Sequence, residues 1–215
     1  MKNNCHDTMT DLGLLALRLS AGGLMAGHGA QKLFGSFGGK GLAGTAGMLE
    51  SIGLKPSKQW AALAGASEFG SGLLTALGLF SPLSPIAMFG PMVMAWVTAH
   101  AGKPIWVTSG GPELPVAYMA DATALALAGP GRFSLDNVLG VKIPGALVAL
   151  TAAGVAAGLA IGISTRQHPS KGQPQAPNQA AATSSTAGAS QLTPEPDKPA
   201  DPEEPLKARE SGASF

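Results

Sequence analysis

Apolar residues form long runs through the first three quarters of the chain, and short Pro-, Gly- or Ser-containing connections separate these runs. A helix needs roughly 20 residues to cross the hydrocarbon core of a bilayer, and most of the runs approach that length. The pattern therefore predicts an all-α integral membrane helical bundle. The five predicted helical segments are Leu12–Phe34, Trp60–Phe80, Pro85–Ala101, Pro112–Ala128 and Ile143–Ile163.

The short connections bring polar residues of different segments to one side of the predicted bundle. Connections such as Ser81–Pro85 force neighbouring helices to run antiparallel. The ends of the first and third segments and the starts of the second and fourth then share one leaflet. Polar residues at this level are expected to face inward and to form one site for a quinone or another small ligand: His28, Gln31, Lys32, Glu68, His100, Glu113, Tyr118 and Asp121.

Glu68 is the strongest candidate for chemistry, because an isolated carboxylate in hydrocarbon costs several kcal/mol unless it is neutralised, paired or hydrated. It lies on a stripe of small and polar residues, the kind of face on which membrane helices pack. One interpretation is that Glu68 relays a proton or hydrogen-bonds a quinone. The other is structural, an ion pair with Lys32 or with Arg18, although helical rise places Arg18 about 9 Å deeper than Glu68.

Two further catalytic candidates accompany Glu68. Asp121 adds a second carboxylate at the same level, or serves as a partner for Arg18, and His28 lies on the flank of the first segment. Facing histidines at 28 and 100 would suit a haem iron, and with Glu68 a transition metal. Interfacial hydrogen bonding explains both histidines more simply, and no close His-x-x-x-His spacing supports a metal site, so we predict neither haem nor metal.

Composition excludes some classes of function. The single cysteine, Cys5, permits neither an intrachain disulfide nor a Cys-x-x-Cys dithiol, so a redox role requires a bound cofactor or quinone. The formal net charge of +1 gives no reason to expect nucleic acid as a partner. No nucleotide-binding or nucleophile-elbow motif stands in the strand–turn–helix context that such motifs need.

Several short motifs, in the same order along the chain, resemble those of the DoxX family of small bacterial membrane proteins. The resemblance covers roughly residues 12 to 140. Asp121 departs from it, because an apolar residue is usual there. The motifs are Arg18, the run from His28 to Gly35 (His-Gly-Ala-Gln-Lys-Leu-Phe-Gly), Leu49–Leu54, Glu68, Glu113-Leu114-Pro115 and Gly129–Asp136.

The resemblance implies a four-helix core and a multi-pass location in the bacterial inner membrane, among membrane lipid. The predicted domains are a polar N-terminal arm (1–11), the DoxX-like core (12–140), an additional transmembrane helix (141–163) and a disordered Pro/Ala/Ser-rich tail (164–215). Gly154, Gly158 and Gly162 repeat at a spacing of four, which suits either docking on the bundle or formation of a homo-oligomer.

Three functions agree with these features. Some relatives are membrane subunits of thiosulfate:quinone oxidoreductase, so the resemblance favours a membrane subunit or accessory of a quinone-linked redox system, with a redox partner protein. The alternatives are a non-catalytic membrane scaffold that recruits a soluble partner and a transporter of protons or a small solute. The sequence leaves the substrate, the membrane orientation, the oligomeric state and any enzymatic activity open.

Overall fold

The computed structural model describes residues 2–167, with side chains from residue 8 onward, and every regular element in this part of the chain is helical. This confirms the prediction of an all-α chain. The elements are α1 (Lys2–Leu17), a π-helical turn (Arg18–Gly22), α2 (Gly23–Phe34), a 3₁₀ turn (Ser36–Gly38), α3 (Gly41–Ser51), α4 (Ser57–Leu77), α5 (Leu83–Ala99), a 3₁₀ turn (Val107–Ser109), α6 (Glu113–Ala128), α7 (Leu135–Leu139) and α8 (Gly145–Ser164).

Each predicted apolar segment corresponds to a helix, and α1, the π-helical turn and α2 follow one another without a break. Helix α1 also covers most of the predicted polar N-terminal arm. Among the described helices, α8 is the one that is both long and apolar enough to cross a membrane by length and composition. Helix α5 is apolar but has only 17 residues. The division into a four-helix core and one additional helix is not settled by these lengths.

Helices α2 and α4 form the most extensive helix–helix contact, and glycines permit it. Gly72 on α4 lies against the backbone of Gly22 and Ala26, and Gly29 on α2 lies against the backbone of Phe69. A Cβ at Gly72 would lie 2.7 Å from the carbonyl oxygen of Gly22. Small residues at such positions let two helix backbones approach closely, which favours dispersion contacts in a lipid environment. This approach fixes the register of α2 against α4.

The π-helical turn lies at the end of α1 and directs Arg18, Ala21 and Gly22 into the interior, where all three are buried. Ser20 accompanies it: its hydroxyl donates to the carbonyl oxygen of Ala16 at 2.8 Å. A serine hydroxyl that bonds back to the preceding turn competes with the regular helical pattern and bends helices. The chain therefore enters α2 with its small residues already facing α4.

Asp136 joins the segment after α6 to the C-terminal end of α4. Its Oδ1 accepts from the backbone N–H of Phe80 at 2.9 Å and its Oδ2 from that of Ser81 at 2.7 Å. Its own N–H donates to the carbonyl oxygen of Gly78 at 3.0 Å. The Asp136 side chain thus satisfies two backbone N–H groups of the connection between α4 and α5, and its own N–H satisfies a carbonyl just after the end of α4.

Helix α8 packs mainly on α5, and its glycine face is turned toward the bundle. A Cβ at Gly162 would lie 2.6 Å from the Cε atom of Met94. Val155 approaches Gly90 of α5. At Gly162 the structure therefore displays docking on the bundle, whereas a Cβ at Gly154 or Gly158 would meet nothing within 4 Å. Formation of a homo-oligomer through the same residues stays a prediction.

The described chain continues past α8 to Gln167, and these last residues bind the ends of other helices. Arg166 donates from Nε to the carbonyl oxygen of Ile52 at 3.0 Å and from Nη1 to that of Val97 at 3.0 Å. Gln167 N–H donates to the carbonyl oxygen of Gly53 at 2.8 Å. A cation is favoured where helix C-termini present free carbonyls, and Arg166 joins the ends of α3 and α5. The rest of the predicted tail, 168–215, lies outside the described residues.

Replacement of Gly72 by Ala should destabilise the fold, because its Cβ would collide with the backbone of the opposite helix. We expect a loss of about 1–3 kcal/mol, the usual cost of overpacking a close contact. The matched control is Gly70→Ala on the same helix, where a Cβ meets nothing within 4 Å. Thermal unfolding of both variants in the same detergent measures the difference. Equal stability of the two variants would contradict the glycine-mediated contact.

Candidate functional site

An apolar cavity of about 330 Å³ lies among α3, α4, α5 and α8. Ligand pockets in proteins usually have volumes of 300–1,000 Å³, about the size of this cavity or larger. Its floor and walls consist mostly of aliphatic, methionine and glycine positions with a single indole, that of Trp60. The lining residues are Lys32, Met48, Leu49, Ile52, Leu54, Trp60, Leu63, Ala64, Ser67, Glu68, Ala87, Gly90, Pro91, Met94, Ala95, Thr98, Ala99, Gly154, Val155, Gly158 and Leu159.

An ion pair between Lys32 and Glu68 forms the polar part of this wall. Lys32 Nζ donates to Glu68 Oε2. The carboxylate is almost completely buried, with 4 % of the side chain exposed, whereas 27 % of the lysine side chain is exposed. Since the two predicted partners of Glu68 were Lys32 and Arg18, the structure selects Lys32. The register of α2 against α4 produces this pair, because Lys32 and Leu33 pack over Gly65, one turn before Glu68.

A second polar group, His28, Tyr118 and Asp121, lies between α2 and α6. The His28 and Tyr118 rings meet edge to face, with centroids 6.1 Å apart. Glu68 and Asp121 both lie near enough to act electrostatically on the Tyr118 hydroxyl, which is buried and has no hydrogen-bond partner. These residues are close to the ion pair but do not line the apolar cavity. The predicted site is therefore divided between two sides of α2 and α4.

His100 and Glu113 were predicted to belong to the ligand site, but they bind the connection between α5 and α6. His100 Nδ1 is 2.6 Å from the carbonyl oxygen of Gly110, and Glu113 Oε2 accepts from the N–H of Val107 at 2.8 Å. Both contacts organise the connection between α5 and α6, and neither residue lines the cavity. Gln31 is half-buried near the end of α2, and its backbone packs against Gly39. The structure thus brings none of these three residues to the ion pair.

Arg18 lies away from Glu68, at the other end of α2. Its Nη2 donates to the carbonyl oxygen of Phe133 at 2.6 Å, and the acidic group acting on its charge is Asp136. Arg18 therefore binds the loop after α6 through the carbonyl oxygen of Phe133. Neither Glu68 nor Asp121 is its partner in the structure, which corrects both pairings weighed for it from the sequence.

Sequence reasoning missed the cavity, because its wall is assembled from helices far apart in the chain. The glycines of α8 were considered only for docking on the bundle or for a homo-oligomer. One local signal was available: Pro91 lies in the middle of an apolar helix and has no N–H to bond the carbonyl of Ala87, four residues earlier. Ala87 and Pro91 both line the cavity. The carbonyl group of Ala87, which lacks its usual helical donor, therefore belongs to a residue of the cavity wall.

The arrangement can hold an elongated apolar molecule and present a charged donor and acceptor at one place on its surface. Within the described residues, no three His, Cys, Asp or Glu side chains gather as they would around a metal ion. The cavity and the ion pair are therefore the features on which a chemical interpretation of this region rests.

Removal of Lys32 should destabilise the protein more than removal of the Glu68 carboxylate. In Lys32→Met the carboxylate of Glu68 stays buried without a counter-charge, and we expect a loss of about 3–5 kcal/mol. In Glu68→Gln the half-exposed lysine can turn toward water and keep a neutral acceptor, so the expected loss is about 1–2 kcal/mol. Denaturant unfolding of the single variants and the double variant measures this; the double variant should be more stable than Lys32→Met. Additive losses would contradict the pairing.

Comparison with known proteins identifies a segment in the N-terminal half of the chain. Residues 13–101 match the family model described as DoxX. This segment includes α2, α3, α4 and α5 with Lys32 and Glu68, but not α6 or α8. No curated protein and no solved structure gives a significant match. The match identifies residues 13–101 as a DoxX-family segment, which together with the helical structure indicates a membrane protein.

Proposed function

We propose that this protein is a multi-pass subunit or accessory of a quinone-linked redox system in the bacterial inner membrane, and that its apolar cavity holds the quinone. The observation that carries the proposal is a cavity of about 330 Å³ whose otherwise apolar wall contains one buried ion pair, Lys32–Glu68. A lipid-soluble quinone combines an apolar body with two ring oxygens. Apolar walls with a few polar groups that fix orientation are the usual composition of such sites.

The length of the cavity suits a ring with an attached chain. Along α5 its lining runs from Ala87 to Ala99, which is about 18 Å at 1.5 Å per residue. A ring occupies only part of this length, and the first units of an isoprenoid tail would occupy the rest. Gly154 and Gly158 leave room on the α8 side, because a Cβ at either position meets nothing within 4 Å.

Polar groups are placed to serve both oxidation states of the ring. The ammonium of Lys32 would donate a hydrogen bond to a quinone oxygen, and Glu68 would accept a hydrogen bond, or a proton, from a quinol hydroxyl. The carbonyl of Ala87, which Pro91 deprives of its helical donor, supplies a further acceptor beside the cavity. Electrons would come from a redox partner protein.

The multi-pass topology that we propose follows from the helices that enclose the cavity. Helix α8 exposes the large apolar side chains Leu147, Leu150, Ile161 and Ile163 on its outer surface, which lipid would cover. Helices α5 and α6 have 17 and 16 residues and would cross with little tilt or in a locally thinner bilayer. The scaffold alternative would recruit its partner through the first connection, between the first two apolar segments, or through the tail, and residues 168–215 of that tail lie outside the described part of the chain. No observation on the described residues favours it or the transporter over the redox proposal.

Filling the cavity should weaken quinone binding without disturbing the fold. In Gly158→Leu the new side chain would extend into open space, and we expect binding to weaken about tenfold or more, which corresponds to about 1.4 kcal/mol. Gly145→Leu on the same helix is the matched control, since Gly145 is exposed and does not line the cavity. Titration of purified protein with short-chain ubiquinone and menaquinone analogues, followed by quenching of the indole of Trp60, measures both.

Two outcomes would reject the proposed site. If the wild-type protein binds neither quinone analogue, the proposed function is wrong. If Gly158→Leu and Gly145→Leu both bind as the wild type does, the quinone lies elsewhere.

Glu68→Gln should weaken quinol binding about 10- to 100-fold, because a hydrogen bond to a charged group contributes about 1.5–3 kcal/mol. His28→Ala should leave it unchanged, since His28 lies on the α6 side and does not line the cavity. Folded protein of each variant is titrated with the same analogues. A large effect of His28→Ala together with none of Glu68→Gln would move the site to the side of α6.

A further inference from the structure

A small cavity of about 10 Å³ surrounds the guanidinium of Arg18, far from the proposed quinone site. We propose that this Arg18 cavity is a hydration site that holds one internal water molecule, bound by Arg18 and by the hydroxyl of Ser84. The inference does not depend on the proposed function, because it concerns the opposite end of α2. The lining residues are Arg18, Thr75, Gly78, Ser81, Ser84, Pro85, Leu125, Gly129 and Pro130.

The first argument is the state of the arginine. Arg18 is only 2 % exposed, and its Nη2 donates to the carbonyl oxygen of Phe133. Nε and Nη1 are buried and have no hydrogen-bond partner among the described residues. An arginine in a protein stays charged, and burying N–H donors of a charged group without acceptors is costly. These donors therefore need an acceptor that the described side chains and backbone do not supply.

The second argument is that Ser84, which lines the same cavity, also carries a buried polar group. Ser84 is 3 % exposed, and its hydroxyl has no hydrogen-bond partner within the described part of the chain. Two buried polar groups from separate elements, the π-helical turn and the start of α5, thus face one space. A water molecule needs a volume of about 10–15 Å³ and two to four polar neighbours, and the Arg18 cavity provides both.

The third argument concerns charge, and it favours water over an anion. Asp136 acts on the charge of Arg18, although both of its carboxylate oxygens bind the backbone N–H groups of Phe80 and Ser81. The C-terminal ends of α4 and α6, at Gly78 and Gly129, add partial negative charge beside the guanidinium. The positive charge is already balanced nearby, so the cavity requires a hydrogen-bond acceptor and not a further negative charge.

The fold also prevents a protein group from taking the place of water. Gly78 ends α4 with φ +64°, and the Nη1 atom of Arg18 lies directly against its Cα, where a side chain would collide. The π-helical turn fixes the position from which Arg18 enters. Gly78, the turn and the start of α5 thus enclose a space of the size of one water molecule.

The change in stability caused by Ser84→Ala, compared with that caused by Ser71→Ala, tests the proposal. A cavity that holds water and a dry cavity predict different signs of this change. If water bridges Arg18 and Ser84, Ser84→Ala removes one of its partners, and the thermal unfolding midpoint should fall by about 2–4 °C. If the cavity is dry, the same variant removes a buried unsatisfied hydroxyl, and stability should stay the same or rise. The matched control is Ser71→Ala, which removes another buried, unpartnered hydroxyl that does not line the Arg18 cavity. We expect it to be neutral or stabilising.

A high-resolution experimental structure of the wild-type protein in lipid supplies the independent measurement, also in the event that Ser84→Ala does not fold. We expect a density peak about 2.7–3.2 Å from Arg18 and Ser84. An unchanged or raised midpoint in Ser84→Ala would overturn the proposal, and so would a site without density. A peak that gains anomalous signal after exchange into bromide would identify a halide and overturn it as well.

Discussion

An ionised side chain in the apolar interior of a bundle must be compensated within the bundle, and the arrangement of this protein depends on how that is done. Glu68, Arg18 and Asp136 are all buried. Each is compensated by a different means: Glu68 by the ammonium of Lys32, Asp136 by backbone N–H groups at the end of α4, and Arg18 by a loop carbonyl and a nearby carboxylate. The close approach of α2 and α4 makes the first of these possible, because it sets which residues of the two helices stand opposite each other.

The helices could be predicted from the sequence because their signals are local. Runs of apolar residues, punctuated by Pro and Gly, determined the ends of the five segments to within a few residues, except that α1 begins at Lys2, ten residues before the predicted start. The antiparallel order placed Glu68 near Lys32 correctly. These features depend on neighbours in the chain or on helical rise alone.

The rest of the site could not be predicted, since it depends on contacts between distant parts of the chain. His100 and Glu113 were assigned to the cluster by depth, but hydrogen bonds inside their own connection hold them elsewhere. Arg166 looked like part of a tail, and only the folded structure shows that the ends of α3 and α5 meet there. The cavity exists because small residues on several helices fall opposite one another, which no single stretch of sequence reveals.

Helix α8 lies outside the segment that matches the DoxX model, yet it supplies one wall of the cavity. Hydrogen bonds from Arg166 and Gln167 attach its C-terminal end to the bundle. A pull on the chain beyond Gln167 would reach the Arg166 guanidinium before it reached the glycine face of α8. The load would then be shared by the carbonyls of Ile52, Val97 and Thr98, on two separate helices. Tension on the C-terminal segment would thus be transmitted to the ends of α3 and α5, beside the mouth of the cavity, instead of peeling α8 away from the bundle.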